Sequence, residues 1–219
     1  MTVYNDTLSK YITDLFARQD DAQRRALEDS PRRGLPAISI KPEEGRFLQM
    51  LVRMCGTTKA VEIGTLGGHS GIWIARGLAP GGRLVTLERQ RAHAEVAREH
   101  FAAAGVADRV DIRLGDAHAT LQNLAPEGPF DFVFIDAEKS GYPFYFAWAL
   151  ANVRVGGVIA AHNAFRYGDV VGRDVPPERL HDADTEAMRE FNRRVAAEPR
   201  VISTIYPAGD GTVVAVKIA

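Results

Sequence analysis

An α/β sheet wound with helices on both faces is the fold this sequence predicts, and three observations predict it. Short, nearly uninterrupted apolar runs recur along the chain, amphipathic helical patterns separate them, and glycine-rich turns stand at several of their ends. Continuous apolar runs belong to parallel strands, because crossover helices cover both faces of a parallel sheet. The chain has 219 residues, 46% of them hydrophobic and 25% charged, which suits one domain with a sizeable core and an N-terminal appendage. We place the appendage at residues 1–36, as a helical cap or dimerisation segment, and the main domain at 37–219.

The elements follow in order. Leu8, Tyr11, Ile12, Leu15 and Phe16 recur at helical spacing, and a charged stretch from Arg18 to Asp29 continues to a break at Pro31. A second helix starts after Pro42, whose fixed φ suits a first turn, with Glu43 and Glu44 favourable to the dipole. Its stripe is Phe47, Leu48, Leu51, Val52 and Cys55, and Gly56 closes it. Alternation then begins. Strands are expected at Ala60 to Gly64, Arg83 to Glu88, Arg109 to Leu114, Phe130 to Asp136 and Val158 to Ala161. Helices are expected at Ser70 to Leu78, Arg91 to Ala104, Ala117 to Leu124 and Tyr142 to Asn152. A helix from Asp184 to Ala197 follows. Two runs, Val201 to Tyr206 and Thr212 to Ile218, then flank Pro207-Ala208-Gly209-Asp210-Gly211, a hairpin signature.

Composition excludes several function classes. A formal net charge of −1 gives no electrostatic case for nucleic acid or an anionic membrane. The single cysteine, Cys55, allows no intrachain disulfide and sits on a helical apolar stripe, where packing explains it better than catalysis. The start carries no basic-then-apolar signal pattern, and the most apolar stretch, Phe144 to Val153, is about half the ~20 residues a membrane span needs. The expected location is the cytoplasm.

In a parallel sheet, ligands bind beyond the carboxyl ends of the strands. The first strand places Glu62 and the turn Gly64-Thr65-Leu66-Gly67-Gly68 there, and the second places Glu88. The third gives Gly115-Asp116-Ala117-His118, the fourth Asp136-Ala137-Glu138-Lys139, and the fifth His162-Asn163. Glycines let a ligand approach the backbone where a Cβ would collide, and an acid at a second strand end suits the two hydroxyls of a ribose. A nucleoside-bearing cofactor is the expectation. A nicotinamide-dependent oxidoreductase would use the same turn and acid, but leaves the terminal hairpin and the Asp136, His162, Asn163 set without a role.

VEIGTLGGHS, the acid of VTLER, LGDA, FDFVFIDAEK, RVGGVIAAHN and GDGTVVAVK occur in that order and spacing. Together they resemble the S-adenosylmethionine-dependent O-methyltransferases of the caffeoyl-CoA and catechol type, from about Ile38 to the C-terminus and including Pro42-Glu43-Glu44-Gly45. The resemblance implies a seven-stranded, mostly parallel sheet whose last two strands form the antiparallel hairpin. It implies that Gly64, Thr65, Gly68 and Ser70 line the methionine part of S-adenosylmethionine, with Glu62 supporting the loop. Glu88 would hold the ribose, Asp116 and Ala117 would border the adenine, and Asp136 would lie near both the cofactor's amino group and a divalent metal. Lys139 matches the family's general base, acting on a phenolic or catechol-like small molecule. A homodimer is expected from the same resemblance.

One position departs from the family. Where relatives end the fifth strand Asp-Asn, this chain has His162-Asn163. Imidazole is a poor magnesium ligand but suits manganese, iron, cobalt or zinc, and one lost carboxylate weakens the hold on a hard cation. A softer metal, a weakened magnesium site and no metal all follow as readings; the expectation taken forward is a retained but altered site at Asp136, His162 and Asn163. A catalytically degenerate cofactor-binding protein is the non-enzymatic alternative.

Plainer roles stand beside these. Glu88 suits an exposed strand-end charge, Asp116 an N-cap, Lys139 a solvated lysine, and His162 a local hydrogen bond or a base. His69, His93, His100, His118 and His181 show no metal-ligand spacing and read as surface or helix residues, His118 beside the adenine position. Tyr142, Tyr145 and Trp148 follow helical spacing and read as core. Arg166, Tyr167 and Asp169 follow the fifth strand, and the sequence leaves their contact with substrate open.

Overall fold

Seven strands form one sheet in the order β3-β2-β1-β4-β5-β7-β6 in the computed structural model, which describes residues 4–172, 176 and 182–219. The strands are β1 (Lys59–Ile63), β2 (Arg83–Glu88), β3 (Val110–Leu114), β4 (Phe130–Ile135), β5 (Val153–Ala161), β6 (Val201–Tyr206) and β7 (Thr212–Lys217). β1 to β5 run parallel, and β7 enters antiparallel between β5 and β6. Chain order reverses beside β1, so β1 and β4 leave a crevice at their carboxyl ends, the place where such sheets bind ligands. The helices are α1 (Asp6–Phe16), α2 (Asp21–Arg32), α3 (Pro42–Met54), α4 (His69–Gly77), α5 (Arg91–Ala103), α6 (Ala117–Leu124), α7 (Tyr142–Asn152) and α8 (Ala183–Ala197).

The central strands explain their own sequences. Val61, Ile63, Val133 and Ile135 are buried in the core on one face of the sheet, while Ala60, Phe132 and Phe134 are buried on the other. Alternate residues point to opposite faces, so a strand covered on both sides must be apolar at every position. Glu62 breaks that run with a fully buried carboxylate, and the reason lies in the site.

Three local differences from the sequence reading have physical causes. The charged stretch after α1 is a separate helix, because Asp20 caps α2: its side chain accepts from Gln23 N at 2.9 Å, and the Gln23 side chain accepts from Asp20 N at 3.2 Å. Pro31 lies inside the last turn of α2 rather than before a break. β5 begins at Val153, not Val158: the register against β4 jumps from Phe130↔Val153 to Phe132↔Val158, so Gly156 and Gly157 sit in an irregularity within the strand. Gly156 has φ +77°, and a Cβ on Gly157 would stand 2.8 Å from the Asp131 carbonyl.

The α1 stripe faces outward. Tyr11, Leu15 and Phe16 are 50–66% exposed, while the polar side of α1 docks on α3: Thr13 donates to Glu43 at 2.8 Å, and the Ser9 hydroxyl reaches the same carboxylate. No described helix is long and apolar enough to cross a membrane.

Candidate active site

A cavity of about 490 Å³ opens where the carboxyl ends of β1 to β5 converge. That size falls within the range typical of small-molecule sites. All five strand ends contribute to its wall: Gly64 and Thr65 after β1, Glu88 at the end of β2, Asp116 and Ala117 after β3, Asp136 and Lys139 after β4, and Asn163 after β5.

The turn after β1 is built around glycine. Gly64 has φ +103°, and a Cβ there would lie 2.2 Å from the Asp136 carbonyl, so only glycine lets the end of β1 touch the end of β4. Glu62 stands behind this turn. Its two carboxylate oxygens accept from the Ser70 hydroxyl at 2.6 Å and the Thr86 hydroxyl at 2.7 Å. Burial, reinforced by Asp136 and Glu88, outweighs those two hydrogen bonds and lifts its pKa to about 7. Ser70 reaches the cavity wall. Gly68, expected among the cofactor contacts, is not on the wall: it caps α4 with φ +82° and packs on Phe101, while Gly67 lines the cavity instead. Glu62 likewise supports the loop from beneath rather than lining it.

Glu88 is almost wholly buried, and its oxygens accept from Leu66 N at 2.9 Å and Gln90 N at 2.8 Å. Each oxygen keeps further accepting capacity toward the cavity. Asp116 is the N-cap of α6, accepting from Ala119 N at 3.2 Å, and lines the cavity as well, so cap and wall coincide. His118 packs beside it against Phe144 and Tyr145, with ring centroids 4.4 and 5.2 Å away.

The β4–β5 side is a chain of ion pairs. Lys139 sits on a short turn before α7; its Nζ donates to the Tyr142 hydroxyl at 2.8 Å and the Ala137 carbonyl at 3.0 Å, and lies 3.4 Å from Asp136 Oδ1. The other Asp136 oxygen is 3.6 Å from His162 Nδ1, and His162 Nε2 is 2.9 Å from Glu44 Oε1. Burial alone would raise Asp136, but His162 and Lys139 outweigh it and hold this carboxyl below its usual value. Burial alone would lower His162, yet Asp136 and Glu44 carry it to about 10. His162 lies under the wall rather than on it, and its Nδ1 is buried without a hydrogen-bond partner. Asn163, at φ +60°, donates its amide to Asp210 at 2.8 Å. Among the described residues, no three His, Cys, Asp or Glu side chains gather as a metal group.

Several residues here escaped the sequence reading. Glu44 was visible only as an acid in a first helical turn, and its partner is 118 positions away. Tyr142 is core, as expected, but its hydroxyl also anchors Lys139. Tyr145 is buried and borders the cavity, while Trp148 is buried in the core. His69 and His100 are in helices but buried; His69 lines the cavity, lies 2.9 Å from Gln19 Nε2, and is driven down to about 4 by burial and by His100. Arg166 and Tyr167 line the cavity, Arg166 paired with Asp182 at 3.0 Å, whereas Asp169 is buried. Cys55 is half-buried at the end of α3, its Sγ 3.3 Å from the Asp131 carbonyl. His181 lies outside the described residues.

Comparison with known proteins adds an independent line. Residues 20–218 match an O-methyltransferase family. A catechol O-methyltransferase of Niastella koreensis is 41% identical over 202 residues, covering 91% of this chain and 89% of that protein. A caffeoyl-CoA O-methyltransferase of Eucalyptus gunnii is 30% identical, covering 94% and 86%. The crystal structure of an O-methyltransferase from Bacillus cereus, in complex with SAH, superposes with a TM-score of 0.88 at 40% identity, covering 96% and 97%.

Proposed function

Because this chain belongs to the O-methyltransferase family, related to its catechol and caffeoyl-CoA members, we propose that its cavity holds S-adenosylmethionine beside a phenolic or catechol-like small molecule and methylates a hydroxyl. The observation that carries this reading is the convergence of all five strand ends on one cavity, with a buried acid on one wall and a buried lysine on another. The cofactor suits the cradle: Gly64 and Gly67 line it without side chains, and the Glu88 carboxylate meets the cavity with accepting capacity left over.

When bound, S-adenosylmethionine supplies a methyl group on a cationic sulfonium, open to displacement by an oxygen anion. Glu88 would accept from the ribose hydroxyls, Gly64, Thr65 and Ser70 would border the methionine portion, and Asp116 and Ala117 would border the adenine. A phenol ionises only near pH ~10, so the acceptor needs a base. Lys139 Nζ is the base in this reading, and the Tyr142 hydroxyl, accepting from Nζ, holds the nitrogen in place. Much of the rate then rests on alignment by the walls.

A metal-assisted version would use Asp136, His162 and Asn163. One observation favours it: a metal-bound imidazole usually gives its other nitrogen to a carboxylate, as His162 gives Nε2 to Glu44. Against it, the donor set holds a single carboxylate on the cavity wall. The imidazole of His162 does not suit magnesium. A homodimer that covers the exposed side of α1, in the cytoplasm, completes the proposal. Calorimetry with S-adenosylhomocysteine and with NAD tests the cofactor: binding of the first alone is expected, and binding of NAD alone would overturn the reading.

A further inference from the structure

We propose that this protein transfers its methyl group without a divalent cation, the His162–Glu44 pair standing where the sequence resemblance places the metal. The inference rests on the O-methyltransferase reading and concerns the same site. Its basis is where the donor atoms point.

His162 has two ring nitrogens, and neither is offered to the cavity. Nε2 is engaged by Glu44 Oε1 at 2.9 Å. Glu44 is itself fixed, since Oε2 accepts from Lys41 N at 2.9 Å in the first turn of α3. The space for its carboxylate exists because position 209 is glycine: a Cβ there would stand 2.1 Å from Oε1. Nδ1 faces Asp136 Oδ2 at 3.6 Å beneath the wall and is sealed from the cavity. An ion bound at Nδ1 would therefore lie where an acceptor oxygen does not reach.

The other two expected ligands supply one carboxylate, Asp136, and one amide oxygen, Asn163 Oδ1. Asp136 has Lys139 Nζ 3.4 Å from one oxygen and the His162 ring near the other. Asn163 donates to Asp210, whose other oxygen accepts from Tyr167 N. A hard cation is held by a surplus of carboxylate charge. Here an imidazole, His162, stands where a second carboxylate would, and it is paired with Glu44, so that surplus is smaller.

The acceptor class follows. A divalent ion grips two adjacent oxygens and so favours vicinal diols. With no ion, no metal grips a second hydroxyl, and monohydric phenols enter the substrate range beside catechols. The bond changes are unaltered: the acceptor O–H proton goes to Lys139 Nζ, the oxygen–carbon bond forms as the carbon–sulfur bond breaks, and S-adenosylhomocysteine leaves.

The test uses the full chain, dialysed against EDTA and assayed by elemental analysis and by methyl transfer to catechol and to guaiacol. Magnesium, manganese, cobalt or zinc is added back separately. The expected result is a substoichiometric metal content, rates within about twofold with or without EDTA, and guaiacol turned over within about tenfold of catechol. His162→Asp, checked for folding by S-adenosylhomocysteine binding, should gain calorimetric binding of magnesium or manganese. A tenfold or greater loss in EDTA that add-back restores overturns the inference while leaving the methyltransferase reading intact. So does one metal per chain that disappears in His162→Ala. Absence of transfer to every acceptor, with and without each metal, overturns the methyltransferase reading and this inference with it.

Discussion

The two halves of the cleft are built differently. On the β1–β2 side, each acid takes its hydrogen bonds from hydroxyls or the main chain: Glu62 from two hydroxyls and Glu88 from two backbone N–H groups, with His93 Nδ1 a further 3.6 Å from Glu88. On the β4–β5 side, Asp136 and Glu44 face the basic side chains Lys139 and His162. The first half is tied to backbone geometry, because the Gly64 turn and the Glu88 hydrogen bonds fix each other. The second is a string of side chains whose members can be exchanged, and His162 is such an exchange. A half locked by the main chain suits a cofactor common to many relatives; a half made of side chains suits an acceptor that differs between them.

This contrast predicts that damage on one side appears as lost turnover and on the other as lost binding or stability. The largest effect should come from Lys139→Met: the rate falls about a thousandfold, while calorimetry finds S-adenosylhomocysteine affinity unchanged. Equal losses in both would erase the contrast.

Glu62 gives the next effect, in stability. Its carboxyl is raised to about 7 in the fold against 4.5 unfolded, so the unfolded chain ionises first as pH rises. Folded-state stability is therefore lost between about pH 4.5 and 7, by about 3 kcal/mol. Urea unfolding of the cofactor-free protein at pH 5 and pH 8 should show this drop, and Glu62→Gln should remove it. An unchanged pH dependence in the variant would assign the drop to other groups.

Glu88→Ala should weaken S-adenosylhomocysteine binding by about thirtyfold, the scale of a hydrogen bond to a charged acceptor. Tyr142→Phe should cost the least, about fivefold in kcat with cofactor affinity retained, because Lys139 loses one of its acceptors. A larger effect of Tyr142→Phe on binding than on kcat would place Tyr142 in the wrong half.

The same contrast explains what the sequence made legible. The Gly64 turn, Glu88 and Asp116 stand at the ends of strands whose apolar runs mark them out, so their convergence follows from topology alone. β2 and the last hairpin begin where the runs begin for the same reason. The pairing of His162 with Glu44 joins the fifth strand to a helix 118 positions earlier, and no local pattern carries it. Gly68 belonged to the right turn, but its contact with Phe101 depends on how α5 packs. The bulge in β5 was hidden because its continuous apolar run begins only at Val158, after two glycines. His69 and His100 read as surface or helix residues and are in helices, but their burial was hidden because what covers them comes from separate parts of the chain: Gln19 lies against His69, and Asp29 and the Gly67 carbonyl against His100.

The most direct test of the methyltransferase assignment follows the methyl group itself. The protein is incubated with catechol and S-adenosylmethionine labelled with carbon-13 in its methyl, and the products are read by NMR and mass spectrometry. The account predicts labelled methyl on a catechol oxygen, with one S-adenosylhomocysteine formed per methyl transferred. Tight cofactor binding with no labelled product from any phenol, or label found on carbon or nitrogen, would contradict it.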